Sequence, residues 1–300
     1  MIKYFTSIIL AIFLLSPLVV FSKQIQADEK LNIVVIFAHP DDGDLKMGAT
    51  AAMMAEAGHR VKFVSITNGS AGHQELGGGN LGSIRRAEAE EAARRMGIDE
   101  YVVMDNNDGE LMPDLHIRMD VIREIRNWDA DVVFGVRPWD YHPDHRYSGV
   151  LVQDAAYMVG VPNLASDTPP LEKNPIFFYL SDRFEKPYPF MHDVVVGIDS
   201  HIETKLDAVE AHVTQVYEWL PWIGGRQEVP ESPEDRRQWL TDNRFSGGNV
   251  SDEQRAGLAK WYGEDKANDF QHVESFEICE YGRRPTDEDI RRIFPMLPQD

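Results

Sequence analysis

The sequence predicts an α/β fold of the Rossmann-like type, an open parallel sheet with helices on both faces and an elaborated C-terminal portion. Two observations favour this class. Apolar, β-branched runs alternate with helical segments at the spacing of strand–helix–strand units. The first run, residues 31–37, is continuously apolar, as expected of a strand that is buried on both faces. Over 300 residues, 43% are hydrophobic and 27% charged, which is typical of a globular chain.

The elements of the predicted core follow in a regular order. Strands are predicted at residues 31–37, 61–66, 101–104 and 131–136, and helices at 44–57, 83–96, 115–128 and 146–159. A Gly-rich segment, residues 69–82, is predicted to be a lid or turn. The first strand is followed by Ala38-His39-Pro40-Asp41-Asp42, not by the Gly-x-Gly-x-x-Gly pattern of dinucleotide-binding folds.

The pattern weakens after residue 160. Strands are predicted at 176–180 and 194–198, a helix at 203–219, and irregular structure at 220–250. No internal repeat is visible. We therefore predict one domain over residues 23–300, with a core at 31–216 and a C-terminal elaboration at 217–300.

The first 22 residues are predicted to be a secretory signal peptide. Lys3 precedes an apolar run at residues 5–21, and Val20 and Ser22 stand at the −3 and −1 positions of a cleavage site. The mature protein is therefore expected to be exported, either periplasmic or secreted, without a stable membrane span after cleavage. An uncleaved N-terminal anchor is the alternative.

Charge and cysteine content exclude several classes of site. The formal net charge is −20 and no basic run occurs, which argues against a nucleic-acid partner. A neutral or cationic glycan suits this charge better than a polyanion. Cys279 is the only cysteine, so an intramolecular disulfide and a thiolate metal cluster are both excluded. A metal would need His, Asp and Glu ligands.

Two short polar motifs stand at the ends of predicted strands. His39-Pro40-Asp41-Asp42 follows the first strand, and His142-Pro143-Asp144-His145 follows the fourth. Ligands of open α/β sheets bind outside the carboxyl ends of the strands, so both motifs are expected at one edge. Two histidines and a carboxylate there form a suitable set of ligands for a divalent metal with an open water position.

These motifs resemble the LmbE/PIG-L family of zinc-dependent N-acetylglucosaminyl deacetylases. Further segments agree with the family pattern: Thr67-Asn68-Gly69 with Ala71-Gly72, Arg85 with Glu88, Asp108-Gly109-Glu110-Leu111, and Lys205-Leu206 with Ala211-His212-Val213-Thr214-Gln215. The resemblance runs from about residue 31 to 216, and more loosely over residues 274–295. It departs from the pattern after the two aspartates, where Gly43 intervenes before Asp44.

The resemblance implies a zinc-dependent hydrolase that removes the N-acetyl group from an N-acetylglucosamine-type sugar or glycoconjugate. Another divalent metal such as Fe²⁺ would also suit the ligand set. The implied metal ligands are His39, Asp42 and His145. The implied catalytic residues are Asp41 as general base, His142 as the second catalytic group, and Asp144 as the carboxylate that orients His142. The implied substrate-binding residues are Arg85, Asp108 and His212.

Two other functions share some of these features. A two-His-one-carboxylate iron oxygenase uses the same ligand types, although such enzymes carry them on a β-sandwich. A non-catalytic sugar-binding α/β module is the third class, and it would not require Asp41. Trp139 and Tyr141 are candidates for stacking on sugar rings, while Trp219 and Trp222 suit either stacking or core packing. Histidines without a partner at ligand spacing, such as His73, are predicted to be surface or core residues.

Overall fold

The central feature of the computed structural model, which describes residues 30–248 and 250–299, is a seven-stranded sheet in the order β3-β2-β1-β4-β5-β7-β6. The predicted signal peptide lies outside the described residues. The strands are β1 (Asn32–Phe37), β2 (Arg60–Thr67), β3 (Glu100–Asn106), β4 (Val132–Gly135), β5 (Ile176–Leu180), β6 (Val194–Gly197) and β7 (Val273–Ile278).

Ten α-helices accompany the sheet in the described residues. They are α1 (Asp42–Glu56), α2 (Gly78–Met96), α3 (Leu115–Asn127), α4 (Pro143–Met158), α5 (Ile202–Glu210), α6 (Leu220–Ile223), α7 (Pro233–Arg244), α8 (Asp252–Tyr262), α9 (Glu264–Ala267) and α10 (Asp287–Ile293). A 3₁₀ turn (Asp199–His201) precedes α5, and a π-helix (Thr214–Trp219) precedes α6. Among the described residues, none of the helices combines the length and apolarity that a membrane crossing requires.

The α/β class is confirmed, but the sheet is mixed where a parallel one was predicted. Strands β1 to β5 pair in parallel, whereas β7 pairs antiparallel with both β5 and β6. The sequence analysis did not identify β7, because Val-Glu-Ser-Phe-Glu-Ile alternates with two glutamates and does not resemble a buried run.

Alternate side chains of β1 point to opposite faces of the sheet and belong to two separate hydrophobic cores. Ile33, Val35 and Phe37 belong to the cluster that packs with α1 and α2, while Val34 and Ile36 belong to the cluster with α3 and α4. This alternation is the period of a strand covered on both faces. It places β1 at the centre of the molecule, beside β4, where the strand order reverses.

Several predictions for the helices are wrong. Helix α4 begins at Pro143 and not at residue 146, and α6 and α7 lie in the segment predicted to be irregular. Two further differences have identifiable reasons. Helix α2 begins at Gly78 and not at residue 83, since glycines disfavour a helix by propensity while buried Leu81 packs this first turn. The helix predicted at 203–219 is interrupted after Glu210. There the backbone N–H of Thr214 donates to the Glu88 carboxylate (2.8 Å), which takes that N–H out of the regular helical ladder.

Helix α1 is kinked at Met47, and the C-terminal strand compensates for the kink. Met47 has φ −147° and ψ 20°, outside the helical region. The backbone N–H groups of Ala49 and Thr50 donate instead to the buried Glu274 carboxylate of β7 (3.2 and 2.8 Å). Glu274 also pairs with Lys205 of α5 (2.7 Å). A carboxylate at the start of a helical segment satisfies free donors and complements the helix dipole.

We predict that Lys205→Met lowers the free energy of unfolding by about 3–5 kcal/mol, because it leaves the buried Glu274 charge without its counter-ion. Urea denaturation measures the loss. Lys205→Met combined with Glu274→Gln should lose less than the sum of the single variants. Lys266→Met, on an exposed side chain of α9, serves as the control and should stay within about 0.5 kcal/mol of wild type. Additive losses would show that the pair is not coupled.

Candidate metal centre and cavity

The turn that follows β1 is fixed by hydrogen bonds to its carbonyl and carboxylate groups. The Ala38 carbonyl accepts from the Ser65 hydroxyl (3.0 Å) and from the Thr67 backbone N–H (2.9 Å) and hydroxyl (2.8 Å). The Asp42 carboxylate accepts the backbone N–H of His39 (2.9 Å). This bonding sets the direction in which the His39 and Asp42 side chains leave the backbone.

Three side chains from the ends of β1 and β4 meet at one point. His39 Nδ1 lies 3.1 Å from His145 Nε2 and 3.6 Å from Asp42 Oδ2, and Asp42 Oδ1 lies 3.5 Å from His145 Nε2. The structure therefore brings together the three residues that were predicted as metal ligands, from positions about a hundred residues apart in sequence.

The spacing of these atoms fits a tetrahedral divalent metal. Bonds of about 2.0–2.1 Å at tetrahedral angles place ligand atoms about 3.3 Å apart. The two ring nitrogens are close to that separation, and each approaches a different oxygen of Asp42 at a similar distance. A ring nitrogen of His142 also lies within 4.8 Å of nitrogens of His39 and His145. His142 uses its Nδ1 to accept the backbone N–H of Asp144 (3.2 Å), which caps α4. His39, Asp42 and His145 are therefore the candidate metal ligands, and His142 is a neighbour of the same group.

The far side of the His39 ring is held by two carboxylates. His39 Nε2 lies 3.1 Å from Asp108 Oδ1 and 3.4 Å from Asp144 Oδ2. Although burial lowers the pKa of His39, these carboxylates raise it well above its usual value. Both favour a proton on Nε2 and leave Nδ1 free to bind a cation, the arrangement common to metal-binding histidines. His39, Asp108 and Asp144 also lie close enough together to hold a metal ion. Such a site would use the same Nε2 atom, on which the two carboxylates favour a proton.

The expected orientation of His142 by the Asp144 carboxylate is wrong. The fully buried Asp144 side chain contacts His39 and accepts the backbone N–H of Gly109 (2.7 Å), while only its backbone N–H reaches His142. The reason is local geometry: Asp144 is in the first turn of α4, which directs its side chain toward β1.

Asp140 is a residue of this centre that sequence reasoning missed. Its Oδ1 lies 3.1 Å from His145 Nδ1 and accepts the backbone N–H of His142 (2.9 Å). Asp140 therefore holds the ring of His145 as Asp108 holds that of His39. Its position two residues before His142 was a signal, but a single loop aspartate carries no distinguishing pattern.

Asp41 and His142 lie in the cavity wall with shifted proton affinities. Burial, together with the neighbouring charge of Asp42, raises the pKa of Asp41 to about 6. Burial and the adjacent His39 and His145 lower the pKa of His142. Because His142 Nδ1 accepts a backbone N–H, a neutral ring carries its proton on Nε2.

His212 lies one layer behind the cavity, so the structure does not support its predicted substrate contact. It is fully buried, with Nε2 3.2 Å from Asp44 Oδ2, and the Tyr101 hydroxyl donates to the same oxygen (2.9 Å). The departure at Gly43 has a steric cause, because a Cβ there would collide with the ring of Phe37. Asp44, the next residue along the chain, pairs with His212 inside the protein.

A cavity of about 520 Å³ opens in front of the metal ligands. It is lined by residues from both motifs, by Gly69 and Gly72 of the loop after β2, and by Arg85 and Asp108. Arg85 is 2% exposed, and its Nη2 donates to the Gly72 carbonyl (2.7 Å). The two remaining predicted substrate-binding residues, Arg85 and Asp108, therefore share one wall with the metal centre.

Several known proteins are similar to this chain in sequence and in fold. The family described as "PIG-L: GlcNAc-PI de-N-acetylase" matches residues 34–156. Diacetylchitobiose deacetylase of Thermococcus kodakarensis is 30% identical over 207 residues, which cover 64% of this chain and 74% of that protein.

Two solved structures are similar in fold. N,N′-diacetylchitobiose deacetylase of Pyrococcus horikoshii superposes with a TM-score of 0.62 at 24% identity, covering 83% of this chain and 84% of that one. GalB, a 4-carboxy-2-hydroxymuconate hydratase of Pseudomonas putida, also gives a TM-score of 0.62, at 18% identity, covering 85% and 96%. Since a hydratase shares this fold, the fold alone does not define the reaction.

We predict that Asp140→Ala weakens binding of a divalent metal by about 10–100-fold, because it removes the carboxylate that holds the His145 ring. Competition against a chelator of known affinity measures the change. Asp154→Ala on α4, whose carboxylate pairs with Arg118 at the surface, is the matched control and should bind metal as the wild type does. Equal affinity of both variants would contradict this role for Asp140.

Proposed function

Because the chain belongs to the PIG-L/LmbE family, we propose that it is a metal-dependent deacetylase that hydrolyses the N-acetyl group of an N-acetylglucosamine-type sugar or glycoconjugate. The observation that carries the proposal is the convergence of His39, Asp42 and His145 at metal-ligand spacing beside Asp41, in one cavity. The similarity to diacetylchitobiose deacetylase supports the substrate class.

The proposed metal is zinc, held by His39 Nδ1, His145 Nε2 and the Asp42 carboxylate. Zinc bound in this way lowers the pKa of a coordinated water toward about 7 and polarises an amide carbonyl. Two imidazoles and a carboxylate also suit Fe²⁺, so the identity of the metal is a matter for elemental analysis.

Asp41 is the proposed general base. A carboxyl group with a pKa of about 6 is largely ionised at neutral pH, yet it accepts a proton more readily than an ordinary aspartate. It can therefore take a proton from water as the oxygen attacks the acetyl carbon. Fixed polar groups, Arg85 and Asp108, stand in the same cavity to orient the sugar.

His142 is the proposed second catalytic group. The Nε2–H of its neutral ring can donate a hydrogen bond to the carbonyl oxygen as negative charge develops there. The departing amine also needs a proton. Asp41, once it has taken a proton, or His142 in its doubly protonated form can supply this proton from the cavity wall. Acetate and the free amine then leave the cavity.

We predict that Asp41→Asn lowers acetate release by about 10²–10⁴-fold while metal content stays at the wild-type level. His145→Ala should lose metal as well as activity. The measurements are acetate release from N,N′-diacetylchitobiose and elemental analysis of the same purified samples. Asp265→Asn, an exposed aspartate on α9, is the control. Wild-type acetate release by both site variants would overturn the proposal.

We also propose that the chain is exported as one mature domain, residues 23–300, with the predicted signal peptide removed. Expression of the full chain in a bacterial host should place activity in the periplasm or medium, with a mature N-terminus at or near residue 23. Edman sequencing of the recovered protein tests this. An intact N-terminus in the membrane fraction would favour the anchor.

A further inference from the structure

One wall of the cavity comes from a segment outside both metal-binding motifs. The π-helix and α6 contribute Gln215, Trp219, Leu220 and Ile223 to the cavity lining. π-helical turns are rare and occur frequently at functional sites. Of these four side chains, only Gln215 and Trp219 carry polar atoms.

The indole nitrogen of Trp219 and polar atoms of Arg85 and Asp108 all lie near Gly72. A Cβ at Gly72 would lie 3.4 Å from Asp108 Oδ2, 3.6 Å from Arg85 Nη2 and 3.6 Å from Trp219 Nε1. Three different polar side chains thus surround one small space, and the absence of a side chain at Gly72 keeps it open.

Two of these groups have hydrogen-bonding capacity that the protein does not use. Arg85 is almost completely buried, yet its Nε has no partner. The indole N–H of Trp219 makes no hydrogen bond to any other described residue. Trp219 is half-buried in the cavity wall, so its indole N–H is free to donate to a ligand that offers an acceptor oxygen.

Trp219 is held in place from two sides. Its ring stacks on Trp222, with centroids 5.5 Å apart and an interplanar angle of 17°. The adjacent Glu218 carboxylate lies 2.7 Å from Nε2 of His73, whose Nδ1 accepts the backbone N–H groups of Glu75 and Leu76. This His73–Glu218 contact joins the loop after β2 to the π-helix and keeps Trp219 beside Gly72.

We propose that Trp219 is a substrate-binding residue, whose indole N–H donates to a hydroxyl oxygen of the N-acetylated pyranose that Arg85 and Asp108 contact. This inference rests on the proposed function and makes it more specific. A donor placed for a ring hydroxyl favours a polyhydroxylated substrate over simple N-acetyl amines, which lack that acceptor. His73 and Glu218 are positioning residues for this contact.

The test compares Trp219→Phe with Trp261→Phe in the metal-loaded mature chain. Phenylalanine keeps a ring in the stack but removes the N–H donor. Trp219→Phe should raise KM for N,N′-diacetylchitobiose about 3- to 10-fold with kcat within about twofold, the loss expected for one hydrogen bond. Trp261→Phe makes the same chemical change on α8, in a ring that does not line the cavity, and should change KM by less than about twofold. Equal KM values for Trp219→Phe and wild type would overturn the assignment.

A second measurement uses the chain with all its tryptophans. In the Asp41→Asn protein labelled with ¹⁵N-tryptophan, diacetylchitobiose should shift the indole N–H resonance of Trp219, which the Trp219→Phe spectrum identifies by its loss. No shift of that resonance at saturating sugar would also overturn the proposal. Normal acetate release with an unchanged KM in Trp219→Phe would refute only the role of Trp219. A shifted resonance in Asp41→Asn, combined with a metal-loaded wild-type protein that releases no acetate, would refute only the deacetylase activity.

Discussion

The adjacency of β1 and β4 at the reversal of the strand order is the constraint on which the site depends. Because the two strands are parallel neighbours, the turns that follow them end at the same edge of the sheet. That edge places His39 of one turn 3.1 Å from His145 of the other. Burying several titratable groups together is costly unless they are paired. Carboxylates therefore lie beside the rings of both His39 and His145.

The same constraint explains how much the sequence could predict. Apolar runs and strand–helix alternation identify β1 to β4 and place both motifs at one edge, and the resemblance to the LmbE/PIG-L family implies the metal-ligand set. What the sequence could not show is the direction of individual side chains. Asp144 faces His39 and not His142, and His212 faces Asp44 and not the cavity. These differences depend on where each helix begins and which way its first turn faces, and helix boundaries are the least reliable part of a prediction from sequence.

Contacts between distant segments were the other part that pattern reasoning missed. Glu274 and Lys205 have no distinguishing periodicity, yet together they support the kinked helix that begins with Asp42. His73 has no partner that the sequence pattern identifies, yet in the structure its contact with Glu218 joins the loop after β2 to the π-helix. Such long-range polar pairs are specified by the fold, so they become visible only once the elements are packed together.

In the proposed function, deacetylation depends on one metal ion at the β1–β4 edge. The most direct measurement is acetate release from N,N′-diacetylchitobiose by chelator-treated protein to which zinc is returned in small steps. We expect no acetate release without metal, and a linear rise in acetate release that reaches its plateau at one equivalent of zinc per chain. Full acetate release by the metal-free protein would contradict it.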